Sequence, residues 1–375
     1  MRPDVAIVGG GVIGWSAAFH LMRLVPSLSV VVIDKYSRGG MGSTSLAAGG
    51  VRAQFSTPVN ILLSKESIEF FERFEEETGE DPSFRQHGYL FVASTKRGAA
   101  YLASCVALQL SLGVEVDTVN PVLTIGILQT SDLLAASFAP KDGYLDPYAV
   151  CRGFEGAARK AGATAIYNTR VLGGDLATVR TEHGPLECGA VLLCPGHWSA
   201  GVGDGFGIEI PVQHTRHMLT LTGPVPGLLS NLPMVVDLET SFHFRPEGEG
   251  LLVGCNWDCP TPPDPNEPAL FDFGFLQAIA QHGMHRLPML NKVGFDTKRS
   301  WAGYYAETPD RHAIIGKVGG VFLATGFGGH GIMHSPAAGR AIAQLMMTGA
   351  SDLDISTLRP SRFAEGDWVV ENMVI

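Results

Sequence analysis

Four consecutive apolar residues, Val5–Val8, end at a glycine, and Val12, Trp15, Phe19 and Met22 then recur at helical spacing. The first run, rich in β-branched residues, predicts a buried strand, and the second predicts a helix with one apolar face. A further apolar run, Ser29–Asp34, completes a βαβ unit. Residues 61–80 read as an amphipathic helix with an acidic outer face. Beyond it, "GYLFVAS" has the pattern of a strand and "AAYLASCVALQLSLG" that of a helix. "GYLDPYAVCRGFEGAARKAGATAIYNTRV" predicts a helix closing at Gly162 and a strand running to Val171. Ala190–Leu193 forms a short buried strand with a turn at Pro195–Gly196. Residues 206–300 return to alternating strands, with "EGEG" as a hairpin turn, and Pro260–Pro268 is a proline-rich surface loop.

Nucleotide-type segments (1–80, 141–205 and 301–375) thus interleave with strand-rich segments (81–140 and 206–300). The expected class is α/β, with two domains woven together by several chain crossings. A length of 375 residues agrees, since it exceeds the size at which single cores usually stop growing. The net charge of −10 and the lack of a Lys/Arg cluster argue against a nucleic-acid partner. No apolar run of about 18 residues suggests a membrane span. The N-terminus enters structure without a cationic leader, so a cytoplasmic protein is expected. The six cysteines form no CxxC. Cys255 and Cys259 lack the second pair that a zinc site needs, so no metal is expected and buried free thiols are.

Gly9, Gly11 and Gly14 fit G-x-G-x-x-G between the first strand and helix, and Asp34 stands twenty residues beyond Gly14. The glycines allow a tight turn that brings backbone N–H groups to a pyrophosphate, and the carboxylate can accept from a ribose. The alternative is a glycine-rich turn that only packs helix on sheet. Arg38–Asn60 is small, polar and glycine-rich, either a surface turn or a loop packed on the cofactor. A second glycine-rich stretch, "GFGGHGIMHSPAAGRAIAQL", begins at Gly326. Ser335 suits an N-cap and Pro336 the first helical position, so a helix is expected to begin there.

Together, "VGGGVIG…ID", "STSLAAGGVR", "GYLDPYAV", "NTRV", "LLCPGHWS", "HFRPEGEGLLVG", "WAGYYAETPDRHAIIG" and "FLATGFGGHGIMHSPAAGRAIAQLM" resemble the D-amino-acid oxidase superfamily of flavoproteins, in particular its glycine and sarcosine oxidase branch. The resemblance spans nearly the whole chain. It implies FAD rather than NAD, held by a Rossmann-like domain interleaved with an antiparallel-sheet α+β substrate domain. It also implies oxidation of a C–N bond in an amino acid or N-alkyl amino acid. Carried over, Gly9, Gly11, Val12, Ile13 and Gly14 would hold the pyrophosphate, and Asp34 with Lys35 the ribose end. Ser43, Thr44, Ala48 and Gly49 would line the path to the flavin, Val171 would meet adenine, and Gly196 and Trp198 would sit near the cofactor. Gly328, Gly329, His330, Gly331 and Ile332 would approach the flavin ring. A helix N-terminus there would favour the negative charge of a reduced flavin. His330 could donate to the ring or bond only to backbone.

The same resemblance places Arg52 at the substrate carboxylate, where a planar bidentate pair is suited to the task. A surface arginine is the alternative. The expected partner lysine is replaced by Met333, which leaves Arg216, His217, Arg245, Tyr304 and Tyr305 as candidate substitutes. No cysteine precedes "TPD", so the FAD is expected to be non-covalent. Leu252 stands where an oxygen-activating lysine is found in sarcosine oxidase, so the acceptor could be O₂ or another molecule. The expected chemistry is hydride transfer from the substrate to flavin N5, giving an imine that hydrolyses. Other readings are a 2-hydroxy-acid dehydrogenase, a non-catalytic FAD-bound respiratory-complex assembly protein (from "QFSTPVN") and an NAD enzyme. A homo-oligomer is possible.

Overall fold

A computed structural model describes residues 2–120, 126–258 and 260–374. The Cys255–Cys259 pair therefore lies partly outside the described residues, and the described cysteines are all free and buried. The leading unit forms as expected: β1 (Val5–Val8), α1 (Val12–Leu24) and β2 (Val30–Ile33). Both strands are buried on both faces, which suits their unbroken apolar runs. They sit inside a six-stranded sheet, ordered Ile314–Val318, Val321–Thr325, Ala190–Leu193, β1, β2 and Thr164–Ile166. Five strands run parallel, and Ile314–Val318 alone runs antiparallel at one edge.

A second sheet has eight strands and carries the alternating segments. Its order is Phe295–Glu307, Gln213–Thr222, Gly250–Gly254, His243–Glu247, Met234–Asp237, Tyr89–Ala93, Ala135–Ala139 and Asp117–Val119. "EGEG" does close the hairpin between His243–Glu247 and Gly250–Gly254. The helix Phe275–Arg286 packs on this sheet through Phe275 and Ile279, beside Phe242 and Phe244.

Three expectations need correcting. The strand thought to run to Val171 is two strands, because Asn168 adopts a left-handed φ of 51°. Thr164–Ile166 joins the parallel sheet, and Val171–Gly174 joins a separate three-stranded sheet. The single helix over 61–80 is instead Pro58–Phe71 and Phe74–Thr78. The break lets Phe74 turn inward onto Phe154, ring to ring at 5.1 Å.

The helix expected from Ser335 in fact runs Gly331–Thr348, so Pro336 lies inside it. Proline cannot supply the N–H that would bond the Ile332 carbonyl. The Ser335 hydroxyl donates to that carbonyl instead, at 2.8 Å. A side chain thus fills the gap that made Pro336 look like a helix start.

This helix packs closely along α1. A Cβ at Gly339 would lie 2.1 Å from Ser16 Oγ, and Ser16 Oγ donates to the Ser335 carbonyl at 2.7 Å. The two helices therefore lie side by side, and both begin at one cleft.

Candidate cofactor cleft

The cleft has a volume of about 460 Å³ and opens at the ends of the parallel strands, as binding crevices do in doubly wound sheets. At one end it is lined by Asp34, Lys35, Tyr36, Thr169 and Val171; at the other by Tyr305, Gly328, Gly329, Gly331 and Ile332. Gly9, Gly11, Val12, Ile13, Ser43, Thr44 and Gly196 also line it, as does Trp198 beside Lys35. Fifteen residues expected at the cofactor from sequence thus come together on one surface.

The turn at Gly9–Gly14 is shaped by backbone crowding. Gly9 has φ +108°, and a Cβ there would lie 2.2 Å from the Cys194 carbonyl oxygen. Gly14 does not face the cleft: its Cβ would lie 2.0 Å from the Gly9 carbonyl oxygen, so it lets α1 close on the turn. Asp34 is fixed by two N–H donors, Gly10 at 2.6 Å and Tyr36 at 2.8 Å. Burial raises its pKa, while those donors pull it back. Lys35 lies 3.6 Å from the centroid of the Trp198 ring, a cation–π contact. Burial and then the Arg170 charge push its pKa down to about 8.

The cleft suits a dinucleotide on two observations. The N–H groups of Gly9, Gly10 and Val12 are taken by the Ile33 carbonyl, Asp34 and Thr44 Oγ1, so the anion site is the start of the 13-residue helix itself, where an anion is stabilised. Trp198 Nε1 is buried with no hydrogen-bond partner, although Trp198 lines the cleft. A buried donor of this kind is costly unless a ligand group accepts from it. At the far end, the N-terminus of the Gly331–Thr348 helix presents a second positive dipole end to the same cavity.

Several expected residues do not line this cleft. Ala48 accepts at its carbonyl from Arg245 Nε at 2.8 Å, and Gly49 has φ +78° against the Leu145 carbonyl. Arg245 also pairs with the Glu247 carboxylate, so its guanidinium is already engaged. Arg52 is fully buried: it donates to the Gln54 carbonyl and, at 2.5 Å, to the Met373 carbonyl, and stacks over Phe55. The guanidinium expected at a substrate carboxylate therefore ties the segment at Met373 to the interior. The His330 ring packs edge-on against Phe55 at 5.0 Å, burial keeps it neutral, and it does not line the cleft although its neighbours Gly329 and Gly331 do. Met333 is buried among apolar side chains. The Tyr304 hydroxyl donates to the Glu267 carbonyl at 3.1 Å instead of entering the cleft.

Other cleft residues were not anticipated at the cofactor. Tyr36 stands outside the motifs, while Thr169, His197 and Phe327 lie within the segments that carry the resemblance but were not singled out there. Tyr305, weighed only as a substitute for the missing lysine, does line the cleft. It is packed so tightly that a Cβ at Gly329 would lie 2.7 Å from its ring. Burial and then the Glu307 charge push its pKa up to about 12, so the phenol keeps its proton.

This architecture has known counterparts. The family model for FAD dependent oxidoreductases matches residues 4–345, and the chain belongs to that family, known as DAO. It is accordingly an FAD-dependent oxidoreductase. FAD-dependent oxidoreductase domain-containing protein 1 of Xenopus laevis is 30% identical, over all of this chain and 85% of that protein. Human mitochondrial sarcosine dehydrogenase is 28% identical over 96% of this chain, which spans 41% of that enzyme. Among solved structures, L-proline dehydrogenase from P. horikoshii superposes with a TM-score of 0.89 at 28% identity, covering 98% and 99% of the two chains. No helix among the described residues is long and apolar enough to cross a membrane.

Proposed function

We propose that this protein oxidises the C–N bond of an amino acid carrying a secondary amine, and passes the electrons to an acceptor other than O₂. The observation that carries the reading is the far end of the cleft. There Tyr305, a neutral hydrogen-bonding group, and the N-terminus of the Gly331–Thr348 helix line the same largely apolar space. A protonated phenol and a helix N-terminus both favour a negative group, and the carboxylate of an amino acid suits them.

Bound FAD supplies the two-electron acceptor for hydride transfer from the substrate carbon. The chain's own residues bind and orient. Gly9, Gly11, Val12 and Ile13 hold the pyrophosphate, Asp34 and Lys35 the ribose end, and Trp198 Nε1 donates to the cofactor. Gly328, Gly329, Gly331 and Ile332 face the flavin end, where helix N–H groups stabilise added negative charge. No cysteine stands at Gly303, Tyr304 or Tyr305, so the FAD is held without a covalent bond. Segments 1–80, 141–205 and 301–375 supply the cofactor side, and segments 81–140 and 206–300 the substrate side.

The relatives support the substrate class: sarcosine, dimethylglycine and L-proline dehydrogenases all bear names of N-substituted amino acids. They are also dehydrogenases, in keeping with the buried Leu252. The test is a panel of N-methyl, cyclic and primary amino acids, with 2-hydroxy acids alongside, mixed anaerobically with the purified protein. Bleaching of the flavin by a secondary amine, with slow recovery in air, is the expected result. Bleaching by hydroxy acids alone would overturn the proposal.

A further inference from the structure

The segment Pro260–Pro268 is not the free surface loop that its composition suggests. Pro265 and Asn266 line the cofactor cleft, and the segment is contacted from both sheets. From the antiparallel sheet, the Arg216 N–H donates to Thr261 Oγ1 at 3.0 Å and His214 Nε2 donates to the Pro262 carbonyl at 2.7 Å. The Tyr304 hydroxyl donates to the Glu267 carbonyl at 3.1 Å. From the parallel-sheet side, Lys35 Nζ donates to Asn266 Oδ1 at 3.3 Å.

His197 supplies another anchor. It bonds Ser43 Oγ through Nδ1 at 3.1 Å and also bonds the Pro265 backbone. Proline has no N–H, so that second bond runs from the ring to the Pro265 carbonyl. Burial and the nearby Lys35 charge hold His197 down to about 3, so the ring is neutral.

Two features set this segment apart. No residue in it is fully buried, so polar contacts and not apolar packing hold it in place. Five of its nine residues are prolines, which limits its internal freedom. A stiff segment held only at its rim moves as one body when those contacts let go. Asp264 preserves its shape by accepting from the Asn266 N–H and side-chain amide, each at 2.8 Å.

We propose that Pro260–Pro268 is a strap that closes over the ribose end of FAD, with Lys35–Asn266 as its latch, and that it must swing away for FAD to enter or leave. This rests on the reading of the cleft as the FAD site. The strap gates exchange without touching the reacting end, so Tyr304 and Asn266 act as positioning residues.

The test measures FAD association and dissociation by flavin fluorescence on the holoenzyme and on Tyr304→Phe, Asn266→Ala and the double variant. Each single change removes one contact and is expected to speed dissociation about 3- to 10-fold. Association speeds up by a similar factor, because a gate acts in both directions and leaves the affinity nearly unchanged. A converse variant, Lys35→Cys with Asn266→Cys, bridged by a short bismaleimide after loading, is expected to release FAD more slowly than the same variant left unbridged, a comparison in which the loss of Lys35 from the ribose end cancels. Unchanged rates in both the loosened and the bridged proteins, or faster release without faster binding, would overturn the strap. Gly14→Ala separates this from failure of the underlying reading: if it keeps wild-type FAD affinity, the cleft assignment fails and not the strap alone.

Discussion

The glycines at the two ends of the cleft differ in what surrounds them. In the first turn, a Cβ at Gly9 or Gly14 would strike a carbonyl oxygen, at 2.2 and 2.0 Å respectively. In the second, Gly328 faces open space, Gly331 meets only Phe327 Cβ at 3.5 Å, and Gly329 is crowded by the Tyr305 ring. Backbone cannot move aside, so the first turn admits few sequences and shows as a fixed motif. The second is shaped by side chains arriving from distant strands, and several sequences could serve. That difference in physical constraint explains why one turn is recognisable in isolation and the other is not.

The largest expected effect strikes the first turn. Gly14→Ala should abolish retained FAD and lower Tm by many degrees, since the new methyl and the Gly9 carbonyl cannot share one place; flavin content and a thermal melt would show it. Next comes the helix behind the second turn. Pro336→Ala restores an N–H for the Ile332 carbonyl and should stabilise the protein by about 1–3 kcal/mol, read by urea unfolding. No gain would mean that the Ser335 hydroxyl already satisfies that carbonyl in full.

A third measurement probes the seam between the two helices. His20, on α1, is buried and bonds the Pro336 backbone; burial and then the Arg23 and Arg340 charges hold it down to about 3. Its unfolded value is near 6.5, so below that pH the unfolded chain binds the extra proton and stability falls on acidification. Between pH 6.5 and 5 the wild type should lose about 1 kcal/mol per pH unit more than His20→Gln. Equal slopes would mean that His20 protonates freely in the folded state. The smallest effect is at Gly331→Ala, where space exists at the helix start. Its stability should stay within about 0.5 kcal/mol of wild type.

Much of the architecture could be read in advance because it depends on short-range patterning. The strands Val5–Val8 and Ala190–Leu193 announce themselves by four apolar residues ending at a turn. Asp34 follows from its position at the end of β2. The substrate end resisted the same treatment. Whether Arg52, Arg245 or Tyr304 reaches a ligand depends on which carbonyl or carboxylate lies within reach, and those partners stand as far away as Met373 and Glu267. Pro336 misled for a related reason: the hydroxyl that compensates for it is a neighbour whose role as an N-cap looked equally plausible. Residue type set the candidates, and tertiary neighbours chose among them.

The bond from Ser16 to the Ser335 carbonyl joins residues 319 apart in the chain. During synthesis, the first glycine turn leaves the ribosome long before the second exists, so the two walls of the cleft cannot meet until the residues 319 positions further on have been made. Closing so long a loop makes this contact a late step in folding. Until then the apolar flank of α1 stands uncovered, and it is the growing chain, more than the mature protein, that would depend on chaperones.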